Sequence, residues 1–247
     1  MDGEISTPTF ATKLRAMTAA RVALGRSGSG WPTSATLTFA LDHARAREAV
    51  WSAMDLPALR HAFEEWPQAT AGSAASSRAV YIRRPDLGRR LAPETDLSAL
   101  PKGRVVIVVA DGLSATAVNT NAAVVVQHLQ ALLPEAAPIV LVERGRVAIG
   151  DEIGAATEAE AVVVLIGERP GLSASDSLGA YVTWKPEPGL PDSRRNCISN
   201  IRNGGLSPND AAKQIASLLR LMKRTGTSGV QLASEKMSPL KTVGGSG

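Results

Sequence analysis

The stretch RVVIVVADGLS (residues 104–114) decides the fold. Arg104–Ala110 is a continuous β-branched run, the signature of a strand buried on both faces. It ends in Asp111-Gly112-Leu113-Ser114, and a helical pattern follows to Leu133. Downstream, PIVLV (138–142) and AVVVLI (161–166) repeat the buried-strand signature, with a short helix expected over Asp151–Ala159 between them. AYVTW (180–184) reads as a fourth strand. Ser207 is placed to cap a helix over Pro208–Arg224, whose inner face carries Ala212, Ile215, Leu218, Leu219 and Met222. Strands alternating with helices predict an α/β fold: a mostly parallel, Rossmann-like sheet with helices on both faces.

Upstream the texture changes. Residues 17–100 read as a small helical N-terminal region ahead of an α/β domain at 101–234, with a flexible arm at 1–16 and a flexible tail at 235–247. Leu37, Leu41, Ala44 and Trp51 share one side of a helix predicted over 34–54, with Ser34 as its N-cap. Phe39, Ala46, Val50 and Ala53 form a second apolar side, so this helix is expected to be covered twice. A short helix is predicted near Pro57–Trp66. QATAGSAASS (68–77) reads as a loop or linker, and RAVYIR (78–83) as a short strand.

Composition narrows the function. The chain has 247 residues and a net charge of +4, and only 4% of it is aromatic. Nucleic-acid binding usually shows a stripe of Lys/Arg with aromatics nearby, and none is present, so no nucleic-acid partner is expected. No apolar run is long enough for a membrane span, and the amino terminus lacks the pattern of a signal peptide. One cysteine forms no internal disulfide, and no zinc-ligand cluster occurs, so a reducing cytoplasm is the simplest setting.

In open α/β sheets ligands gather beyond the carboxyl ends of the strands. That rule brings together Asp111–Ser114, Glu143–Gly150 and Gly167–Ser173, each mixing glycine with charge or hydroxyl. Asp111 and Glu168 become a possible acid/base pair if their loops meet. Taken singly, each loop reads first as an ordinary strand-to-helix turn; it is the expected convergence of all three that points to a site. The Gly25–Gly30 stretch follows no strand, and no phosphate-binding Gly-x4-Gly-Lys motif occurs. His43, His61 and His128 are too scattered for a metal site. Cys197, a lone cysteine, reads as a small buried hydrophobe. These residues describe an α/β ligand-binding domain with a helical N-terminal extension. An enzyme subunit, a stand-alone binding or regulatory domain, and a scaffold recruited through residues 1–16 all remain open.

A resemblance enters at these same segments. RVALGRSG, TFALDHARAREAV, YIRRPDLGRRL, VVIVVADGLSATAVNTNA, ERGRVAIGDEIG, VVVLIGERPGLSASDSLGAYVTW, RNCISNIRNGGLSPNDAA and TGTSGVQL run from about Arg21 to Leu232. Together they resemble the small (light) subunit of ethanolamine ammonia-lyase. SGSGWPTS departs from the family's usual Arg- and Pro-containing loop, and the tail after Leu232 has no family counterpart. The resemblance implies conversion of ethanolamine to acetaldehyde and ammonia with adenosylcobalamin, a cobalt cofactor, by radical chemistry. It implies a barrel-type large subunit that holds the substrate, a hetero-oligomer of several heterodimers, and enclosure in a bacterial microcompartment.

The family's cobalamin-contacting positions fall on Val147, Glu168 and Cys197; no catalytic residue and no metal ligand is implied for this chain. No Asp-x-His-x-x-Gly motif occurs, so the cofactor is expected to keep its own base on cobalt. The arginines of YIRRPDLGRR (81–90) and the N-terminal helix are the expected large-subunit interface.

Overall fold

The computed structural model describes residues 10–18, 22, 30 and 32–232. Three helices come first: α1 (Phe10–Ala16), α2 (Thr33–Trp51) and α3 (Leu56–Ala62). Then follow β1 (Gln68–Gly72), α4 (Arg78–Arg83), β2 (Val105–Ala110), α5 (Ala115–Gln130), β3 (Ile139–Glu143), α6 (Ile149–Ala156), β4 (Ala161–Gly167), β5 (Leu178–Trp184), β6 (Arg195–Ile201) and α7 (Pro208–Thr225). The strands form one six-stranded sheet in the order β1-β3-β2-β4-β5-β6.

The β-branched runs become its centre. Val105–Ala110 of β2 lie opposite Ala161–Ile166 of β4, in parallel. Ile107–Ala110 lie opposite Ile139–Val142 of β3, also in parallel. Side chains alternate across this sheet, as the period of two requires. Ile107, Val109, Leu141 and Leu165 pack under Val118 and Val125 of α5 and Ile215 and Leu219 of α7. Val106, Val108, Val140 and Val164 face the other way, under Ile149 and Ile153 of α6 and Leu97 and Leu100. Helices thus cover both faces, as expected.

The sheet is mixed, parallel over β1, β3, β2 and β4. β5 and β6 are antiparallel to their neighbours. A parallel neighbour needs a crossover of about a dozen residues or more, usually a helix. The connections at 168–177 and 185–194 carry no α-helix, so the chain folds straight back.

Local chemistry explains the helix ends. The Ser114 hydroxyl accepts from the Ala117 N–H at 3.2 Å and caps α5. Ser207 caps α7 with Pro208 next to it, and Gly226 ends that helix at φ 71°.

Three expectations need correction. RAVYIR is helix α4, not a strand: the Ser77 hydroxyl caps it by accepting from the Val80 N–H at 3.3 Å, and Tyr81 is buried on its inner side. Residues 68–72 are not a linker but the edge strand β1, parallel to β3. The helix predicted over 34–54 spans Thr33–Trp51, starts after Pro32 without a side-chain cap, and is not covered on two sides by the described residues. Its Leu37, Leu41 and Trp51 are 64%, 50% and 57% exposed.

β6 carries no strand signature in the sequence, because an edge strand with polar outward positions lacks the apolar run. Phe10–Ala16 form α1 where an arm was expected, while the rest of that arm (1–9), most of the Gly25–Gly30 stretch and the 235–247 tail lie outside the described residues.

Candidate functional site

The three loops beyond β2, β3 and β4 meet. The Leu113 N–H donates to the Gly167 carbonyl at 2.9 Å. The Ser114 hydroxyl donates to the Ser175 carbonyl at 2.7 Å. Gly112 and Gly167 allow this approach. A Cβ on Gly112 would strike the Gly167 carbonyl, and one on Gly167 would strike the carbonyls of Ser114 and Asp111. From the third loop, the Gly145 N–H donates to Asp111 Oδ1 at 3.2 Å.

Beneath the loops Tyr81 forms a floor. Its ring is fully buried and its hydroxyl donates to the Gly145 carbonyl at 3.0 Å. Arg146 lies over the ring at 4.3 Å from its centroid and Arg78 at 5.0 Å. Arg78 also ties the end of α2 to this floor. Its Nε donates to the Val50 carbonyl at 2.7 Å, and its Nη1 to the Gly112 carbonyl at 2.8 Å and to Asp111 Oδ2 at 3.2 Å.

Two cavities of about 330 and 380 Å³ adjoin here and share Arg146, Val147 and Tyr181. Arg89, Asp192, Arg195 and Cys197 line the first. Gly112, Gly167 and Glu168 line the second. Val147, Glu168 and Cys197, from three separate segments, therefore border one recess.

Tyr181 and Cys197 face each other across β5 and β6. The Tyr181 hydroxyl lies near enough to the Cys197 thiol to favour its ionised form. Cys197 reaches solvent, so it is not the buried hydrophobe its residue type suggested. Enough protein surrounds the sulfur to push the thiol pKa up, while the Tyr181 hydroxyl works against that rise. Glu168 is held by the Ser177 hydroxyl, which donates at 2.5 Å, and by the Asn200 N–H at 3.5 Å.

Asp111 and Glu168 sit in touching loops, as the pairing required, and their carboxyl groups have different partners. Burial pushes the Asp111 carboxyl up, with Arg78 opposing, and its oxygens are committed to Arg78 and the Gly145 amide. Asp111 is a brace of the loops. The three histidines are exposed, and no cluster able to hold a metal ion occurs among the described residues. Arg83, Arg84, Arg89 and Arg90 are all exposed, with Arg84 paired to Asp86. The Arg146 N–H donates to the Gly88 carbonyl at 2.7 Å, which holds this arginine-rich segment against the recess.

Sequence reasoning missed Tyr81, Arg146 and Tyr181. One signal was available: the chain has two tyrosines, and both line the recess.

The family model described as "Ethanolamine ammonia-lyase light chain (EutC)" matches residues 9–233. The chain belongs to this family. It is similar to the ethanolamine ammonia-lyase small subunit of Xanthomonas campestris pv. campestris strain B100, at 46% identity over 96% of this chain and 93% of that one. The small subunit of Rhodopseudomonas palustris strain BisA53 is 48% identical over 93% and 92% of the two chains. That of Pseudomonas putida strain W619 is 46% identical over 95% and 92%. Membership makes this chain the small subunit of a lyase, and a small subunit implies a large partner. No described helix is long and apolar enough to cross a membrane.

Proposed function

We propose that this chain forms one wall of an adenosylcobalamin site, closed by the large subunit, in a complex that converts ethanolamine to acetaldehyde and ammonia. The observation that supports this reading is the convergence of Val147, Glu168 and Cys197 on one recess. The donor set suits a corrin. Its face needs apolar contact and its amide-bearing rim needs hydrogen-bond partners. Val147, Ala148 and Pro85 supply apolar surface. Glu168 supplies an acceptor for amide N–H groups, and the buried Arg146 Nε has no hydrogen-bond partner among the described residues.

The chemistry supplied by the bound group is homolytic cleavage of its cobalt–carbon bond. The work of this chain is to bind, orient and exclude water. Ser177 aims Glu168, the Tyr81–Arg146 stack fixes the loop carrying Val147, and β6 presents Cys197. Ethanolamine itself is assigned to the large subunit. None of the described histidines lines the recess, so this chain would supply no nitrogen to the cobalt; the heterodimers join into a larger hetero-oligomer, and the complex is enclosed in a bacterial microcompartment.

Co-expression with a barrel-type large subunit tests this function. Acetaldehyde production is expected to require both chains and adenosylcobalamin, and bound adenosylcobalamin is expected to slow alkylation of Cys197. Activity from the large subunit alone, or Cys197 equally reactive with and without cofactor, would refute the role. A cobalt EPR spectrum showing a histidine nitrogen from this chain would overturn the exclusion of its histidines.

A further inference from the structure

Arg195 opens β6, and Asp151 lies in the first turn of α6. Both side chains are 3% exposed. The guanidinium grips the carboxylate with both ends, Nη1 to Oδ1 at 2.6 Å and Nη2 to Oδ2 at 2.7 Å. Nη1 also donates to Thr183 Oγ1 at 3.4 Å, Nη2 to the Leu190 carbonyl at 3.1 Å, and Nε to Asp192 Oδ1 at 3.2 Å. A guanidinium carries five N–H groups, and these acceptors use all of them. Arg195 lines the recess beside Val147 and Cys197, yet it has no donor left for a ligand. It acts only through what it holds.

What it holds is the spacing of two walls. The Gly150 and Asp151 N–H groups donate to the Val147 and Ala148 carbonyls at 3.1 Å each, so Asp151 and Val147 move as one turn. Cys197 is two residues beyond Arg195 on the same strand and therefore on the same face. The ion pair is a strut between the element that carries Val147 and the strand that carries Cys197. A buried ion pair adds little stability over a well-packed apolar pair, because desolvation offsets the attraction. Its bidentate geometry does fix distance and angle.

We infer that Asp151 and Arg195 are positioning residues that set the gap between Val147 and Cys197, and with it the affinity of the recess for cobalamin; this rests on the cobalamin reading above. The test uses the reconstituted complex with Asp151→Asn and Arg195→Lys. In the wild type, protection of Cys197 by adenosylcobalamin is the prior check, and its absence would sink the cobalamin reading itself. Given protection, Asp151→Asn is expected to raise the half-saturating adenosylcobalamin concentration roughly tenfold or more, with the ethanolamine KM within about twofold of wild type.

In the cofactor-free complex the same variant is expected to speed Cys197 alkylation severalfold, since the strand is no longer held. Arg195→Lys keeps the charge but loses the planar fork, and its effects fall between. If Asp151→Asn does not assemble, the two readouts on Arg195→Lys decide the matter. Variants with a lowered thermal midpoint but wild-type half-saturation and wild-type Cys197 alkylation would make the pair merely structural and overturn the inference.

Discussion

Replacing Gly112 with alanine tests the loop convergence on which the site depends. Gly112 has φ +56°, and a Cβ there meets the Gly167 carbonyl and the Ile166 side chain. Gly103 is the control: its φ is +70°, with nothing within 4 Å of an added Cβ. Both substitutions carry the left-handed backbone penalty of about 1–2 kcal/mol. Gly112→Ala alone must also push the β2 and β4 loops apart. That overpacking costs about 1–3 kcal/mol, and the lost Leu113-to-Gly167 hydrogen bond about 1 kcal/mol more.

The totals are about 1–2 kcal/mol for Gly103→Ala and about 3–6 kcal/mol for Gly112→Ala. With a urea slope of about 2 kcal/mol per molar, the two midpoints should differ by about 1–2 M. Pulse proteolysis of the complex in urea, following the small chain's own band, measures this. Equal midpoints for the two variants would mean that the loops do not approach as described, and the shared recess would fall with them.

Three further outcomes are expected. Ser177→Ala frees Glu168 and should weaken adenosylcobalamin binding severalfold at a stability cost of about 1 kcal/mol, read by cofactor titration beside thermal melts; unchanged half-saturation would remove Glu168 from the rim contacts. The raised Cys197 pKa leaves less thiolate near neutrality than an ordinary cysteine has, so alkylation by iodoacetamide should be slow there and climb only above the usual thiol range; Tyr181→Phe removes the opposing hydroxyl and should move that pH–rate profile higher still, whereas a lower profile contradicts the contact. Leu37→Asp with Leu41→Asp should abolish co-purification with the large subunit while the chain stays folded, because both side chains are largely exposed in this chain; an intact complex would move the interface elsewhere.

The centre of the sheet was legible because burial on both faces leaves an unbroken apolar run, as in VVIVVA and AVVVLI. β1 and β6 were not, since an edge strand buries less and tolerates the small and polar residues of QATAG and RNCISNI. RAVYIR misled for another reason. Val80 and Ile82 favour a strand locally, yet Ser77 offers a cap and Tyr81 finds a buried berth, and packing overrides propensity. The loop cluster followed from a topological rule that needs only the strand ends. The wall bearing Cys197 did not, because it depends on β5 turning back beside β4.

That reversal is what gives the recess its second side. Parallel strands alone end in a row of loops, an edge with one wall. Here the antiparallel pair β5–β6 continues the sheet past β4, which sets Tyr181 and Cys197 beside Val147. The loop from β4 into β5 carries Glu168, and a Cβ on Gly179 would press against that carboxylate. A further parallel strand at this position would need a crossover helix, whose packing would claim the sheet face now open between α6 and β6. The mixed topology thereby lets one chain offer an open, two-sided recess. A recess open on its remaining side is the shape that a second subunit can close.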